Sequence, residues 1–186
     1  MKITDKILVI DLEATCWKSN ESRGQTSEII EIGICVLNTK DGSISQNKGI
    51  MVKPKHSTIS PFCTELTTIT QGLIDEQGIS LSDACKLLRE EYDAYSYTWA
   101  SYGGYDLKMM KSECLHKGVD YPLCQDHINV KELFTEAREI NKKVGMNGAL
   151  QILGLPLEGT HHRGVDDAKN IANILYWCIT NMKNEQ

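Results

Sequence analysis

Lys6-Ile7-Leu8-Val9-Ile10-Asp11-Leu12-Glu13-Ala14-Thr15-Cys16 decides how this chain folds. The run up to Ile10 is apolar without a break, the pattern of a strand buried on both faces. Side chains two apart in a strand share a face, so Asp11 and Glu13 project together from its end. Two neighbouring carboxylates repel at neutral pH, and burial strengthens the repulsion. A cation resolves the conflict, and an all-oxygen ligand set suits Mg2+ or Mn2+. The alternative is a strand end with two solvated acids. This segment alone leaves both open.

Outward from it, residues 17–27 are polar and rich in turn formers, which predicts a surface loop beside the acidic pair. Trp17 in that loop serves either as a core anchor or as a platform for a base. Glu28–Leu37 predicts a second strand, Asp41-Gly42 a hairpin turn and residues 43–53 a third strand ended by Pro54. Pro61 suits the first turn of a short helix capped by Ser60 or Thr64. Ser80 caps a helix over Leu81–Tyr92, with Leu81, Ala84, Cys85, Leu87 and Leu88 on one face. Tyr97–Ser101 predicts a short buried strand, and Asp106 opens a helix to about His116. Ile128–Val130 predicts a last short strand before a helix through Arg138. Asn141–Met146 reads as a mobile basic loop, Asn147–Leu153 as a short helix and Val165–Met182 as the final one. A three-strand meander followed by alternating helices and short strands means α/β with a mixed sheet.

The 186 residues suggest one domain with a core of useful size. Composition is ordinary for a globular chain: 41% hydrophobic, 24% charged, net charge -5. The acidic balance excludes a polycation gripping a long duplex, so a nucleic acid would have to be held locally. The seven cysteines are scattered with no CxxC pair. That argues against a disulfide framework or a zinc site and for a reducing compartment, the cytoplasm. Met1–Lys6 runs straight into the first strand, so no signal peptide and no membrane contact are expected.

Three further residues belong with the acidic pair. Asp106 follows a strand and two glycines, which allow a sharp turn and a close ligand. Asp167 lies in the first turn of the last helix, where an acid is also favoured electrostatically. His162 lies five residues before it in the loop leading into that helix. Taken singly, Asp106 and Asp167 read more readily as helix-end acids than as ligands, and His162 as a surface histidine beside His161. Together they sit at element ends that can face one pocket.

Asp11-x-Glu13, Asp106 and His162-x-x-x-x-Asp167, in that order, resemble the three motifs of the DEDDh subgroup of DnaQ-like 3′-to-5′ exonucleases. Asp11–Cys16, Phe62–Thr67 and His162–Ala168 look like the Eri-type branch, which trims histone mRNA and small RNAs, and bacterial KapD-type exonucleases are similar. The resemblance spans essentially the whole chain, as one exonuclease domain over 1–186, and implies a ribonuclease-H-like fold with a five-stranded mixed sheet flanked by helices. The chain departs from the pattern at Thr68, where many members have Gly, and no SAP-like RNA-binding extension is expected, which would leave transcript specificity to come from elsewhere.

The resemblance further implies two divalent metal ions, Mg2+ or Mn2+, held by Asp11, Glu13, Asp106 and Asp167, one activating the attacking water and one stabilising the leaving oxygen. Catalysis falls to Glu13 and to His162 as a mobile base with a pKa near operating pH. Family spacing selects His162 over His161. Asp166 is expected to face solvent. Glu13, Ala14, Thr15, Leu66, Thr67, Met109 and His162 are expected against the terminal sugar and bases, and a contact to the ribose 2′-OH would admit RNA. The implied substrate is a single-stranded RNA or DNA 3′ end, with RNA favoured, and the product a nucleoside 5′-monophosphate. The resemblance leaves the protein partner open. The competing readings are DNA end trimming or proofreading, a hydrolase of very short oligonucleotides, and a non-catalytic interaction module.

Overall fold

The computed structural model describes residues 4–21 and 23–182. The reading of the extreme N-terminus as free of a leader therefore lies in part outside the described residues. Strand β1 (Lys6–Ala14) is the middle one of five. It pairs antiparallel with β2 (Ile29–Asn38), which pairs antiparallel with β3 (Ile44–Met51). On its other side β1 runs parallel to β4 (Trp99–Ser101), and β4 runs parallel to β5 (His127–Asn129). The order β3-β2-β1-β4-β5 is the expected mixed sheet. The helices are α1 (Pro61–Thr67), α2 (Gln71–Gln77), α3 (Leu81–Tyr92), α4 (Tyr105–Lys117), α5 (Val130–Ala137), α6 (Met146–Leu153) and α7 (Gly164–Met182). Among the described residues no helix is long and apolar enough to cross a membrane.

Period-two alternation in β1 sorts the molecule into two layers around the sheet. Ile7 and Val9 face one side, where they pack with residues of α5, α6 and α7. Leu8, Ile10 and Leu12 face the other, with residues of α3 and α4. Full burial of each such side chain contributes about 1.5–3 kcal/mol. Asp11 and Glu13 continue the Ile7/Val9 parity, so they point to the side that α7 covers. Helix α7 buries Ala168, Ile171, Ala172, Leu175, Cys178 and Ile179, an i, i+3, i+4 stripe against that layer.

Its N-terminus is seated by two glycines. A Cβ on Gly33 of β2 would fall 1.8 Å from the Gly164 carbonyl carbon, and one on Gly164 would fall 3.0 Å from the Asp11 carbonyl oxygen. Backbone rests on backbone, which brings Asp167 down onto β1. Gly33→Ala is therefore expected to lift the first turn of α7. It should lose about 1–3 kcal/mol of stability from overpacking and most of the activity with it. Chemical denaturation and a turnover assay check this; an alanine variant of wild-type stability would contradict the contact.

Several local readings change. Thr70 caps α2, accepting from Leu73 N, and the sequence reading had no helix there. Ser60, not Thr64, caps α1, accepting from Cys63 N at 3.0 Å. Val130 is the first residue of α5 rather than the end of a strand. The 141–146 segment is tethered: the Tyr102 hydroxyl donates to the Val144 and Gly145 carbonyl oxygens at 3.1 and 3.2 Å. Helix α4 is fixed against the start of β2, where Glu113 Oε2 accepts from Ile29 N at 2.7 Å and Lys117 Nζ meets Glu28 Oε1 at 2.9 Å. That anchor holds the opposite end of the helix that presents Asp106.

Candidate active site

At the C-terminal end of β1 a cavity of about 220 Å³ is lined by Asp11, Leu12, Glu13, Tyr102, Tyr105, Asp106, Met146, His161, His162 and Asp167. All four acids and the histidine singled out from sequence meet here. Carboxylate oxygens of Asp11, Glu13 and Asp167 lie within 4.8 Å of one another. Asp106 arrives from α4 and accepts from Leu12 N at 3.0 Å.

The arrangement is electrostatically strained without a counter-ion. Burial pushes the Asp11 carboxyl well above the carboxylate range, and Asp106, Glu13 and Asp167 push it further. Burial, then Asp167, Glu31 and Asp106, push Glu13 up to about 8, against the pull of Arg163. Burial also raises Asp106, against the Leu12 N–H bond. An acid with a folded pKa above its unfolded value stabilises the fold while protonated. That contribution is complete below the ordinary value of 4.5 and is lost as pH rises through about 8. The melting temperature of chelator-treated protein is therefore expected to fall between about pH 5 and about pH 8.5, and a divalent cation should flatten the slope. Equal slopes with and without cation, by scanning calorimetry, would rule out a shared site.

The Asp167 carboxylate adds a second sign. Its Oδ2 is fully used: the His162 backbone N donates at 2.9 Å and His161 Nδ1 lies at 2.9 Å. Its Oδ1 is buried and has no hydrogen-bond partner. A buried unpaired carboxylate oxygen costs on the order of 1–3 kcal/mol or more. The residues present thus fit a divalent cation: hard oxygen donors, excess negative charge and an open ligand atom.

His162 has φ 65°, the left-handed region, and its ring stacks on His161 at 3.9 Å. Such a conformation in a non-glycine residue costs about 1–3 kcal/mol and persists where neighbours impose it. Asp166 imposes part of it. Instead of facing solvent, its Oδ2 accepts from Thr160 N at 2.8 Å and holds the loop closed. Burial lowers the His162 pKa and His161 lowers it further, partly offset by Asp167.

Two residues that the sequence reading passed over hold the other side of this loop. Glu31 is fully buried in β2, opposite Glu13 in register. It accepts from Gly164 N at 2.9 Å and from Arg163 Nε at 3.2 Å. Arg163 Nη1 also donates to Thr68 Oγ1 at 3.3 Å. Thr68 itself has φ 63° at the end of α1. An acid inside an otherwise apolar strand was the available signal for Glu31.

The residues expected against the terminal sugar and bases divide. Glu13 and His162 line the cavity, whereas Ala14, Thr15, Leu66, Thr67 and Met109 do not. Thr15 is turned inward: its N–H donates to the Glu28 carbonyl at 2.9 Å and its hydroxyl accepts from Glu28 N at 2.9 Å. The Thr67 hydroxyl is buried, donating to Cys63 O and accepting from Ile69 N. Met109 lines a separate hollow with Ser112, Glu113 and His116. Leu66 stands exposed on α1. Tyr102, Tyr105 and Met146 line the cavity without having been singled out.

Five strands in this order, with acids from β1, α4 and α7 converging at one strand end, define a nuclease-like site. A family model described as exonuclease, of the RNase T type, matches residues 8–175, and the chain belongs to that family. It is 34% identical over 181 residues to ERI1 exoribonuclease 3 of Homo sapiens, covering 90% of this chain and 52% of that protein. It is 30% identical over 199 residues to ERI1 exoribonuclease 2 of Homo sapiens, covering 95% of this chain and 28% of that protein. The chain thus spans between about a quarter and a half of the length of these curated relatives. Among solved structures it is similar to the nuclease domain of 3′hExo, a DEDDh family member bound to rAMP. The TM-score there is 0.81 at 27% identity, covering 95% of this chain and 92% of that one.

Proposed function

We propose that this chain is a metal-dependent 3′-to-5′ exonuclease that removes nucleoside 5′-monophosphates from single-stranded ends, preferring RNA. The observation that carries the reading is the convergence of Asp11, Glu13 and Asp167, with Asp167 Oδ1 buried and unpaired. Asp11, Glu13, Asp106 and Asp167 would hold two divalent cations, Mg2+ or Mn2+. When bound, the cations supply charge stabilisation for the attacking and leaving oxygens of the phosphodiester. The preference for RNA is supported by the exoribonuclease names of the relatives, and the cytoplasm as compartment by seven cysteines that are all unpaired.

The chain's own groups do the rest. His162 takes the proton of the attacking water, and its lowered pKa keeps the ring free to accept it at neutral pH. Asp167 holds the His162 backbone through Oδ2, tying base and cation ligand into one unit. Tyr105, half exposed and lining the cavity, offers apolar surface to the last base. An end with a 3′-phosphate would bring a dianion against four carboxylates, so 3′-phosphorylated and circular RNA should resist digestion that removes 3′-hydroxyl RNA completely. Matched labelled oligonucleotides of RNA and DNA, at several lengths and with either 3′ group, test the reading. Release of 5′-monophosphate from RNA first is expected. Rapid cleavage of circular RNA, or no cleavage with either cation, would overturn it.

A further inference from the structure

Three hollows lie in a row along α4. Tyr105 and Asp106, in its first turn, line the active-site cavity. One turn on, a hollow of about 440 Å³ is lined by Met109, Ser112 and His116 of the same helix and faced by His56. A third, of about 360 Å³, starts at Lys117 and is edged by Lys53 and Lys55. Tyr105, Met109, Ser112 and His116 follow an i, i+4, i+7, i+11 spacing, which keeps them on one side of a helix. Charge is sorted along the row. The four acids stand at the cavity end. Glu28 and Glu113 line the middle hollow, but both are buried and their oxygens are used internally. Glu113 accepts from Ile29 N and pairs with Lys117. Glu28 pairs with Lys117 and accepts from the backbone N–H groups of Lys55, His56 and Ser57 at 2.8, 2.8 and 2.6 Å. That carboxylate pins residues 55–57 as the wall opposite α4. At the far end Lys53 and Lys55 are exposed, and among the described residues neither has an acid within ion-pair reach. From the cavity outward, a chain of net charge -5 thus offers an aromatic ring, then imidazole and thioether surface, then two unpaired ammonium groups. That is the pairing of flat surface and positive charge that holds the bases and phosphates of a single strand.

We propose that this row is the track for the body of the substrate: a single RNA strand whose 3′ end occupies the cavity lays its next bases in the hollow between α4 and His56, and brings its phosphates farther upstream to Lys53 and Lys55. The inference rests on the reading of the cavity as the seat of the 3′ end. Asp106 and Lys117 are about 16 Å apart along the helix axis. Stacked nucleotides at roughly 3.4 Å each cover that run in about five. A hexanucleotide therefore reaches the lysines, and a dinucleotide does not.

Single-stranded RNA of two and of six nucleotides tests it, in Mg2+, on the wild type, the Lys53→Ala/Lys55→Ala double variant and His116→Ala. All three side chains are exposed, and thermal unfolding checks that the variants fold. Binding is read from the fluorescence anisotropy of a labelled phosphorothioate hexanucleotide over a range of salt, with turnover of the ordinary oligonucleotides alongside. The double variant should bind the hexanucleotide about tenfold more weakly, and its plot of log affinity against log salt should be shallower by about 1.4, two contacts at roughly 0.7 each. His116→Ala should weaken binding about 5- to 100-fold with the wild-type salt slope. In both variants kcat/KM on six nucleotides should fall relative to kcat/KM on two by the same factor as the affinity. No cleavage of either oligonucleotide by the wild type would overturn the reading of the site and this inference with it. Normal wild-type cleavage with an unchanged salt slope in the double variant, unchanged hexanucleotide affinity in His116→Ala, or equal losses on two and six nucleotides, would overturn the inference alone.

Discussion

Asp11→Ala is expected to abolish cleavage while leaving the fold intact. Asp11 sits in the middle strand, and its carboxylate shares one locus with Glu13 and Asp167. A cation held there contributes several kcal/mol to stabilising charge in the transition state, and each 1.36 kcal/mol is about tenfold in rate. The loss should therefore be on the order of a thousandfold or more. Stability should move the other way. Burial and four neighbouring acids, Asp106, Glu13, Asp167 and Glu31, disfavour the charged form of Asp11, so its removal relieves repulsion in the absence of cation. The metal-free melting temperature should rise, and the rise should shrink when Mg2+ is added. Near-normal turnover at saturating Mg2+ in the folded variant would defeat the assignment of the site.

His162→Ala carries the second large effect. If the imidazole is the base, turnover falls by the general-base magnitude, roughly 100- to 10,000-fold, with little change in cation affinity. The acidic limb of the pH–rate profile should lie below the ordinary histidine value of about 6.5, because burial lowers the His162 pKa. In the variant that limb should disappear. His161→Ala differs in kind. Its Nδ1 lies against Asp167 Oδ2, so its loss loosens a cation ligand. Cation affinity is expected to fall about 10- to 100-fold, read as a higher cation requirement, with turnover at saturating cation little changed. Loss of the acidic limb in His161→Ala, with the limb kept in His162→Ala, would exchange the two roles.

What the sequence made legible follows from pattern length. Strands β1 and β2 are long apolar runs, and the Asp41-Gly42 turn between β2 and β3 is local chemistry, so the meander could be read directly. The acids and His162 were found because each sits at an element end with a recognisable spacing. Helix α2 escaped because it is two turns long, contains Gly72 and buries only Ile74, too little to show a period. The Thr15 and Thr67 hydroxyls bond to Glu28, Cys63 and Ile69, partners that only tertiary structure names. Glu31 and Arg163 lie 132 positions apart, and Ser101 and His127 lie 26 apart. No local pattern announces either pair, because each is created by strand pairing and by the seating of α7.

The seating of α7 on Gly33 and Gly164 has a consequence for how this chain can diverge. Two main chains in direct contact have no rotamers to choose among and no methyl group to trim. The spacing between the acids of β1 and the acid of α7 is then set by the thickness of the polypeptide itself, a quantity that point mutation elsewhere cannot tune. Aliphatic residues farther along the same helix, Ile174 and Leu175 among them, are free to drift in shape, altering how firmly the molecule holds together without altering the distance across which its carboxylates face one another.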